Sequence, residues 1–330
     1  MNGKSLAGAA LYVAITVAIT AASTAATAQI KWSLATAYPA TNFHTENIQL
    51  FAVEVEKATF GKLRIQVYPE ASLLKAPEIK RAVGSNQIPI GEILWVNHEN
   101  ENALFGVDSV PFLATSYAHA MKLWRASRGA LDRELEKQGM KVLFSVPWPP
   151  QGVYSKRTLN SASDMKGLKW RAYSPTTAKI AELVGAQPVT IQATELAQAF
   201  ASGTIDSMIT SCATGYDSKV YQYVRYFYDT QAWLPKNAVI VNQRAFASLD
   251  RVTRVALLKA AADAEARGWK VSEEKTNWYI AQLKKNGMNV LPAGPQLQSD
   301  LRKIGELMLA DWLRKTGAEG EAVIIAYRKI

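Results

Sequence analysis

The chain has 330 residues, 48% apolar and 20% charged, with 38 Lys and Arg against 28 Asp and Glu and one cysteine. That balance belongs to a folded globular protein and excludes a disordered or collagen-like chain. A lone cysteine excludes an internal disulfide, so core burial has to hold the fold.

The net charge of +10 is dispersed, and no Lys/Arg run exceeds two residues. This argues against a nucleic-acid partner and for a basic surface whose field draws in anionic solutes. Residues 1–28 read as a secretory signal peptide: Lys4, an apolar core from Leu6 to Ala22, and the small-residue cleavage site Ala26-Thr27-Ala28. No later stretch holds eighteen uninterrupted apolar residues, so the mature chain is expected to be a soluble periplasmic protein. Its length of about 300 residues suits two domains.

The first half alternates strand and helix patterns. A strand at 30–35 leads through the turn-rich Tyr38-Pro39-Ala-Thr-Asn-Phe43-His44 to a helix over 46–59. A strand over 63–68, a short helix from Ala76-Pro77-Glu78 to Gly84, and a strand over 88–95 follow. A helix over 121–138 and a strand over 141–147 reach Trp148-Pro149-Pro150-Gln151, where the prolines favour a stiff crossing to a second domain.

In that second domain, residues 168–173 read as a strand with Arg171 near its end. Ser174-Pro175 caps a helix that Gly185 closes, 188–191 is a strand, and Thr194 to Gly203 frames another helix before a strand over 205–209. Strands spaced by such helices imply parallel pairing and an α/β domain. Ligands collect outside the carboxyl ends of such strands, and an arginine there offers a carboxylate two parallel hydrogen bonds.

A second crossing is expected near Trp233-Leu-Pro235-Lys-Asn237. Beyond it come an apolar run at 238–241, one long helix over 249–286 with an apolar stripe at Val255, Leu258, Ala262 and Ala266, and closing helices over 301–315 and 321–328. Gly268-Trp269 is a candidate bend. The expected division is 29–149 plus 238–278 for the first domain and 150–237 plus 279–330 for the second.

The run Asp164-Met-Lys-Gly-Leu-Lys-Trp-Arg171, then Val184-Gly-Ala-Gln-Pro-Val-Thr-Ile191, then Glu195-Leu-Ala-Gln-Ala-Phe-Ala-Ser-Gly-Thr-Ile-Asp206 resembles the solute-binding proteins of tripartite ATP-independent periplasmic (TRAP) transporters, the DctP-type family. Val110-Pro-Phe-Leu113 extends the resemblance into the first half. Two positions depart from the family pattern: Ala172-Tyr173 stands for Val-Pro, and Met208-Ile209-Thr210 for a polar Gln-Glu-Asn. The resemblance implies a two-domain periplasmic binding protein fold, with a ligand cleft between the domains and a long helix spanning both. It implies capture of an organic acid by Arg171, delivery to a membrane permease, and a monomer.

By the same resemblance Gln151, twenty residues before Arg171, stands where related proteins place a second arginine or a polar contact. Thr210 and Ser211 stand where they place an asparagine; the hydroxyls either meet ligand or cap the next helix. Trp95, Trp148, Tyr173 and Trp233 fall at strand ends or crossings and are candidate cleft walls, with Phe43 beside them. Glu78 either meets a ligand amine or hydroxyl or serves its own helix start. One arginine with neutral and aromatic neighbours points to an aromatic or other monocarboxylate with a flat or apolar body.

No dinucleotide, phosphate-loop, zinc-protease or nucleophile-elbow motif occurs, and no cofactor or metal is expected. His44, His98 and His119 are far apart in sequence, and Cys212 has no evident partner. Two rival readings remain: a periplasmic enzyme using His98 or Glu99 with a metal, and a binding protein that feeds a sensor.

Overall fold

A computed structural model describes residues 29–330, and the expected signal peptide lies outside the described residues. The first half runs β1 (Ile30–Ala35), α1 (Phe43–Ala58), β2 (Leu63–Tyr68), α2 (Ala76–Gly84), β3 (Ile90–Leu94), α3 (Tyr117–Lys137) and β4 (Met140–Pro147). Next come β5 (Gln151–Ser155), β6 (Lys169–Ala172), α4 (Pro175–Leu183), β7 (Gln187–Thr190), α5 (Leu196–Ala201), β8 (Ser207–Ser211), α6 (Cys212–Asp217) and β9 (Tyr226–Asp229). The chain ends with β10 (Lys236–Asn242), α7 (Gln243–Ser248), α8 (Arg251–Lys285), β11 (Asn289–Pro292) and α9 (Pro295–Lys329).

Two sheets result, ordered β2-β1-β3-β10-β4 and β11-β9-β5-β8-β6-β7. In the first, β1 pairs in parallel with β2 and β3, while β10 returns antiparallel between β3 and β4. In the second, β6 is parallel to β7 and β8, and β5 runs antiparallel between β8 and β9. The consequence is directional. The carboxyl ends of β1, β3, β4, β6 and β8, and the amino ends of β5 and β10, are the ends that carry the cleft residues.

Local chemistry explains the element starts. Asn42 caps α1 by accepting from the His44 N–H at 2.9 Å, and Ser174 caps α4 by accepting from Thr177 N–H at 3.1 Å, with Pro175 at the first helical position. After β3 the chain does not stay extended through Trp95, as the sequence pattern suggests. Residues Trp95–His98 tighten into a 3₁₀ turn that drops Trp95 into the first core.

The two crossings run side by side: Trp148 N–H donates to Pro235 O at 2.8 Å, Gln151 N–H to Trp233 O at 2.9 Å, and Ala232 N–H to Gln151 O at 3.0 Å. Helix α8 packs on α1 and β4 at one end and on α6 and β11 at the other, so it spans both domains.

Its buried face differs from the expected stripe. Val255 and Leu258 are 60% and 40% exposed, whereas Leu257, Ala260, Ala261 and Ala264 are buried. Ala262 and Ala266 of that stripe are exposed as well, so the buried face is offset in register, and its alanines let the helix approach β4 and α1 closely. A Cβ at Gly268 would stand 2.4 Å from Val146 and 2.8 Å from the Asn47 side chain, so Gly268 permits contact and marks no break. Helix α9 also belongs to both cores. Leu297, Leu301 and Ile304 pack under the second sheet, while Trp312, Val323 and Ile324 pack under the first, on either side of the non-helical Gly317.

Gly268→Val is therefore expected to overpack the α8–β4 contact and destabilise the protein by about 1–3 kcal/mol. Gly129→Ala, on the exposed face of α3 with only Arg133 at 3.6 Å, is expected to stabilise by about 0.5–1 kcal/mol. Paired thermal melts check both signs, and a neutral Gly268→Val would refute the close-approach account.

Candidate functional site

The two sets of strand ends face one another across a small cavity. From the side of the first sheet it is lined by Tyr38, Leu94, Asn97, Trp148 and Pro235, the last lying just before β10 of that sheet although within the span expected for the second domain. From the side of the second sheet it is lined by Gln151, Arg171, Tyr173, Thr210, Ser211 and Thr214. Arg171 lies near the end of β6, in register with Val189 of β7 and Met208 of β8, which pins its backbone from both sides.

The Arg171 side chain is 3% exposed. Its Nε donates to the Ile191 carbonyl oxygen at 2.9 Å, and its guanidinium carbon lies 4.9 Å from the centre of the Tyr173 ring. Among the described residues no carboxylate pairs with it, and burial lowers its pKa to about 10, a shift opposed only by the phenols of Tyr173 and Tyr38. The other buried cation near the cavity, Lys236 beside Pro235, is matched by Asp108 at 3.2 Å. Arg171 is thus a charged fork, held on one edge and facing a cavity without a counter-ion.

Gln151 is placed in the cavity wall, but its amide is already engaged: Oε1 accepts from the Tyr173 hydroxyl at 3.0 Å and Nε2 donates to Pro149 O at 3.1 Å. It orients the ring on which Arg171 rests. Ser211 also lines the cavity while capping α6, its Oγ accepting from Thr214 N–H at 3.1 Å. Thr210 lies beside it, in register with Gly152 of β5.

Trp148 closes the first-domain side, its Nε1 donating to Asn237 Oδ1 at 2.9 Å and its ring 4.8 Å from Tyr38.

Four of the expected cleft residues do not line this cavity. Phe43 sits behind Trp148 in an edge contact at 5.5 Å, and Trp95 is buried against Phe105 with Nε1 donating to Ser145 Oγ at 3.1 Å. Trp233 packs in the core under the second sheet. Glu78 is exposed and accepts from Lys75 N–H at 3.0 Å, serving its own helix start. Trp95 turns to the core on its 3₁₀ turn, Phe43 on the first turn of α1, and Trp233 within the crossing segment that precedes β10.

Tyr38, Asn97, Leu94, Thr214 and Pro235 are cavity residues the sequence reading did not single out. Tyr38 stood in the quoted turn after β1 and Asn97 in the polar loop after β3, so strand-end position was the available signal. Asn97 carries a further feature: its Oδ1 is buried with no hydrogen-bond partner, an arrangement costing roughly 1–3 kcal/mol unless something supplies a donor.

The metal-like cluster dissolves. His98 Nδ1 pairs with Glu101 at 3.0 Å, Glu99 accepts from Thr176 Oγ1 at 2.7 Å, and among the described residues no group of three potential ligands could hold a metal. The Glu99–Thr176 bond joins the domains. On the other flank Asn42 Nδ2 donates to Asp217 Oδ2 at 2.7 Å and does the same.

A two-domain α/β protein with an unmatched guanidinium buried between its domains has a site suited to a small anion. The chain belongs to the DctP family, bacterial extracellular solute-binding protein family 7, whose model matches residues 34–315.

Among solved structures it is similar to DctP6, a Bordetella pertussis extracytoplasmic solute receptor described as binding pyroglutamic acid. Identity is 56%, with 91% of this chain and 100% of that chain covered, at a TM-score of 0.90. A marine metagenome TRAP solute-binding protein, described as specific for pyroglutamate, is 44% identical over 92% of this chain and 99% of its own, also at 0.90. The Vibrio cholerae sialic acid-binding periplasmic protein SiaP is 23% identical over 254 residues, covering 73% of this chain and 76% of that one.

The protein is accordingly a TRAP-type solute-binding receptor for organic acids, a transport component that works with a membrane permease and not an enzyme. Its family is periplasmic, and among the described residues no helix is long and apolar enough to cross a membrane.

Behind the cavity wall, Glu92 is buried, accepting from Thr36 Oγ1 and from Asn237 Nδ2 at 2.8 Å, with His44 Nδ1 at 3.6 Å. Burial raises its pKa to about 7 and pushes that of His44 well below the ordinary histidine value. Between about pH 4.5 and 7 the folded chain keeps a proton on Glu92 that the unfolded chain has released. The Glu92 contribution is therefore full at low pH and is lost as pH rises through 7. His44 acts oppositely, its contribution falling away below about pH 6.5. Glu92→Gln removes only the first effect, so the stability of that variant relative to wild type should climb from pH 5 to pH 8. Thermal melts across that range check it, and a pH-independent difference would refute it.

Proposed function

We propose that this receptor captures a small cyclic monocarboxylate bearing an amide, of the pyroglutamate kind, and delivers it to a TRAP permease as a periplasmic monomer exported by its signal peptide. The observation that carries the reading is the count of charges at the cavity. Arg171 is one cation without a protein counter-ion, and every other polar group in the wall is neutral. One carboxylate matches it. A dicarboxylate would leave its second charge facing neutral groups, and desolvating an unmatched charge is costly.

Three solved structures at 44% to 56% identity are described as binding pyroglutamate, which supports the same class. Such a ligand keeps the single carboxylate and flat body expected from the sequence without being aromatic. The chemistry of capture follows from the geometry. Carboxylate oxygens accept from the free edge of Arg171, closure removes the pair from water, and contacts made only in the closed form draw the domains together.

The test is a thermal-shift and calorimetric screen of refolded mature protein against pyroglutamate, aromatic monocarboxylates, hydroxy- and keto-acids, sugar acids and dicarboxylates. A ligand at a hundredfold over its Kd stabilises by about 2.7 kcal/mol, a readable shift. Arg171→Ala removes one partner of a buried pair and should cost about 3–5 kcal/mol, more than a hundredfold in affinity. Arg171→Lys keeps the charge but not the fork and should fall between. A wild type that ignores pyroglutamate, or an Arg171→Ala variant within threefold of it, would overturn the proposal.

A further inference from the structure

We propose that Asn97 is the residue that reads the neutral end of the ligand, its Oδ1 accepting a hydrogen bond from the ring N–H of a lactam acid whose carboxylate is held by Arg171. The inference rests on the functional reading above and adds to it the group that separates such an acid from similar carboxylates.

Three observations carry it. First, Asn97 lines the cavity, and among the cavity-lining residues it is the one with a side-chain polar atom both buried and without a partner. A buried amide oxygen left unpaired in the protein is the complement of a donor supplied by something bound.

Second, the position is rigid. Asn97 is the third residue of the 3₁₀ turn Trp95–His98, and its neighbours Trp95 and Val96 are buried in the first domain while His98 is held by Glu101. A side chain projecting from such a turn is preorganised, so little ordering cost opposes the contact.

Third, the polarity of the two walls is opposed. Beside its neutral hydroxyls the second domain presents the donors of Arg171, and the first contributes the unpaired Asn97 oxygen. A ligand satisfying both must carry an acceptor and a donor, as an acid with an adjacent N–H does. Three other acceptors nearby are already engaged, the Gln151 oxygen by Tyr173, Ser211 Oγ by the α6 N-terminus and Asn237 Oδ1 by Trp148, and the Thr210 hydroxyl lies on the same side of the cavity as Arg171. Because Asn97 and Arg171 sit in different domains, the bond to Asn97 also forms a tie between them that only a ligand with the donor completes.

Isothermal titration of wild type, Asn97→Ala and Asn97→Ser separates the possibilities. The probes are L-pyroglutamate, its lactone analogue 5-oxotetrahydrofuran-2-carboxylate with ring oxygen in place of N–H, and the carbocycle 3-oxocyclopentane-1-carboxylate with CH₂ there. Wild type should prefer the lactam over both analogues by at least about tenfold, since an analogue without the donor leaves the buried oxygen unpaired. In Asn97→Ala the lactam should weaken by a similar factor while the carbocycle stays within about threefold of its wild-type affinity, collapsing the preference. Asn97→Ser, which retains a smaller acceptor, should fall between.

The preference is a ratio taken within one variant, so a general loss of stability does not mimic its collapse. If wild type binds pyroglutamate and Asn97→Ala keeps the wild-type preference, or weakens all three acids equally, the assignment of Asn97 is wrong and the receptor reading stands. If refolded wild type binds none of the cyclic acids, the receptor reading for this class fails and the assignment falls with it.

Discussion

The structure turns on one unmatched charge. A guanidinium in water is well solvated; at 3% exposure and, among the described residues, with one hydrogen bond and no carboxylate beside it, Arg171 has replaced only part of that solvation. Its lowered pKa, still near 10, records the penalty and shows that the group remains charged at neutral pH. A fold that merely required a buried arginine would neutralise it, as Lys236 is neutralised by Asp108 in the same neighbourhood. Here the surroundings instead fix direction. The Ile191 carbonyl holds the Nε edge, the Tyr173 face lies against the guanidinium plane, and Gln151 fixes the Tyr173 hydroxyl.

The frame around that charge makes a closing cleft mechanically reasonable. The two crossings between sheets are hydrogen-bonded to each other along Trp148–Gln151 and Ala232–Pro235, so they move as one short ribbon and not as two independent tethers. Helix α8 runs beneath as a strut touching both domains. Away from the ribbon, the bonds Asn42–Asp217 and Glu99–Thr176 join the domains on opposite flanks of the cavity. Two bonds of ordinary strength, each exchanged for water on opening, hold a cleft only marginally. The larger contribution to closure has to come from whatever bridges the walls.

Much of this frame was legible in the sequence because it rests on local rules. The strands at 30–35 and 63–68 and the helix closed by Gly84 followed from alternation, caps and Pro/Gly punctuation, and Arg171 stood out through its position at a strand end within a recognisable motif. What escaped was set by contacts across the chain. The buried face of α8 was misread in register: Val255, Leu258, Ala262 and Ala266 face outward, and Leu257, Ala260, Ala261 and Ala264 are the residues buried against its partners. Trp95 and Trp233 lie near the cleft along the chain but turn their rings into cores. Tyr38 and Asn97 belong to turns whose side-chain direction no periodicity encodes.

The same division explains why the class of ligand is easier to read than its identity. On the proposal above, Arg171 recognises what all carboxylates share, so it supplies affinity for the class and cannot rank its members. Ranking has to come from groups that meet the remainder of the ligand, and those are neutral. Several of them, Tyr38, Leu94, Asn97, Trp148 and Pro235, come from the opposite side, that of the first sheet. A contact made from that side exists only once the cleft has closed. An acid that satisfies Arg171 alone therefore binds the open form nearly as well as the closed one and contributes little to closure, because a ligand shifts an equilibrium only by its difference in affinity for the two states. Discrimination and closure are on this view one property, set by how well the ligand completes the wall that faces the arginine.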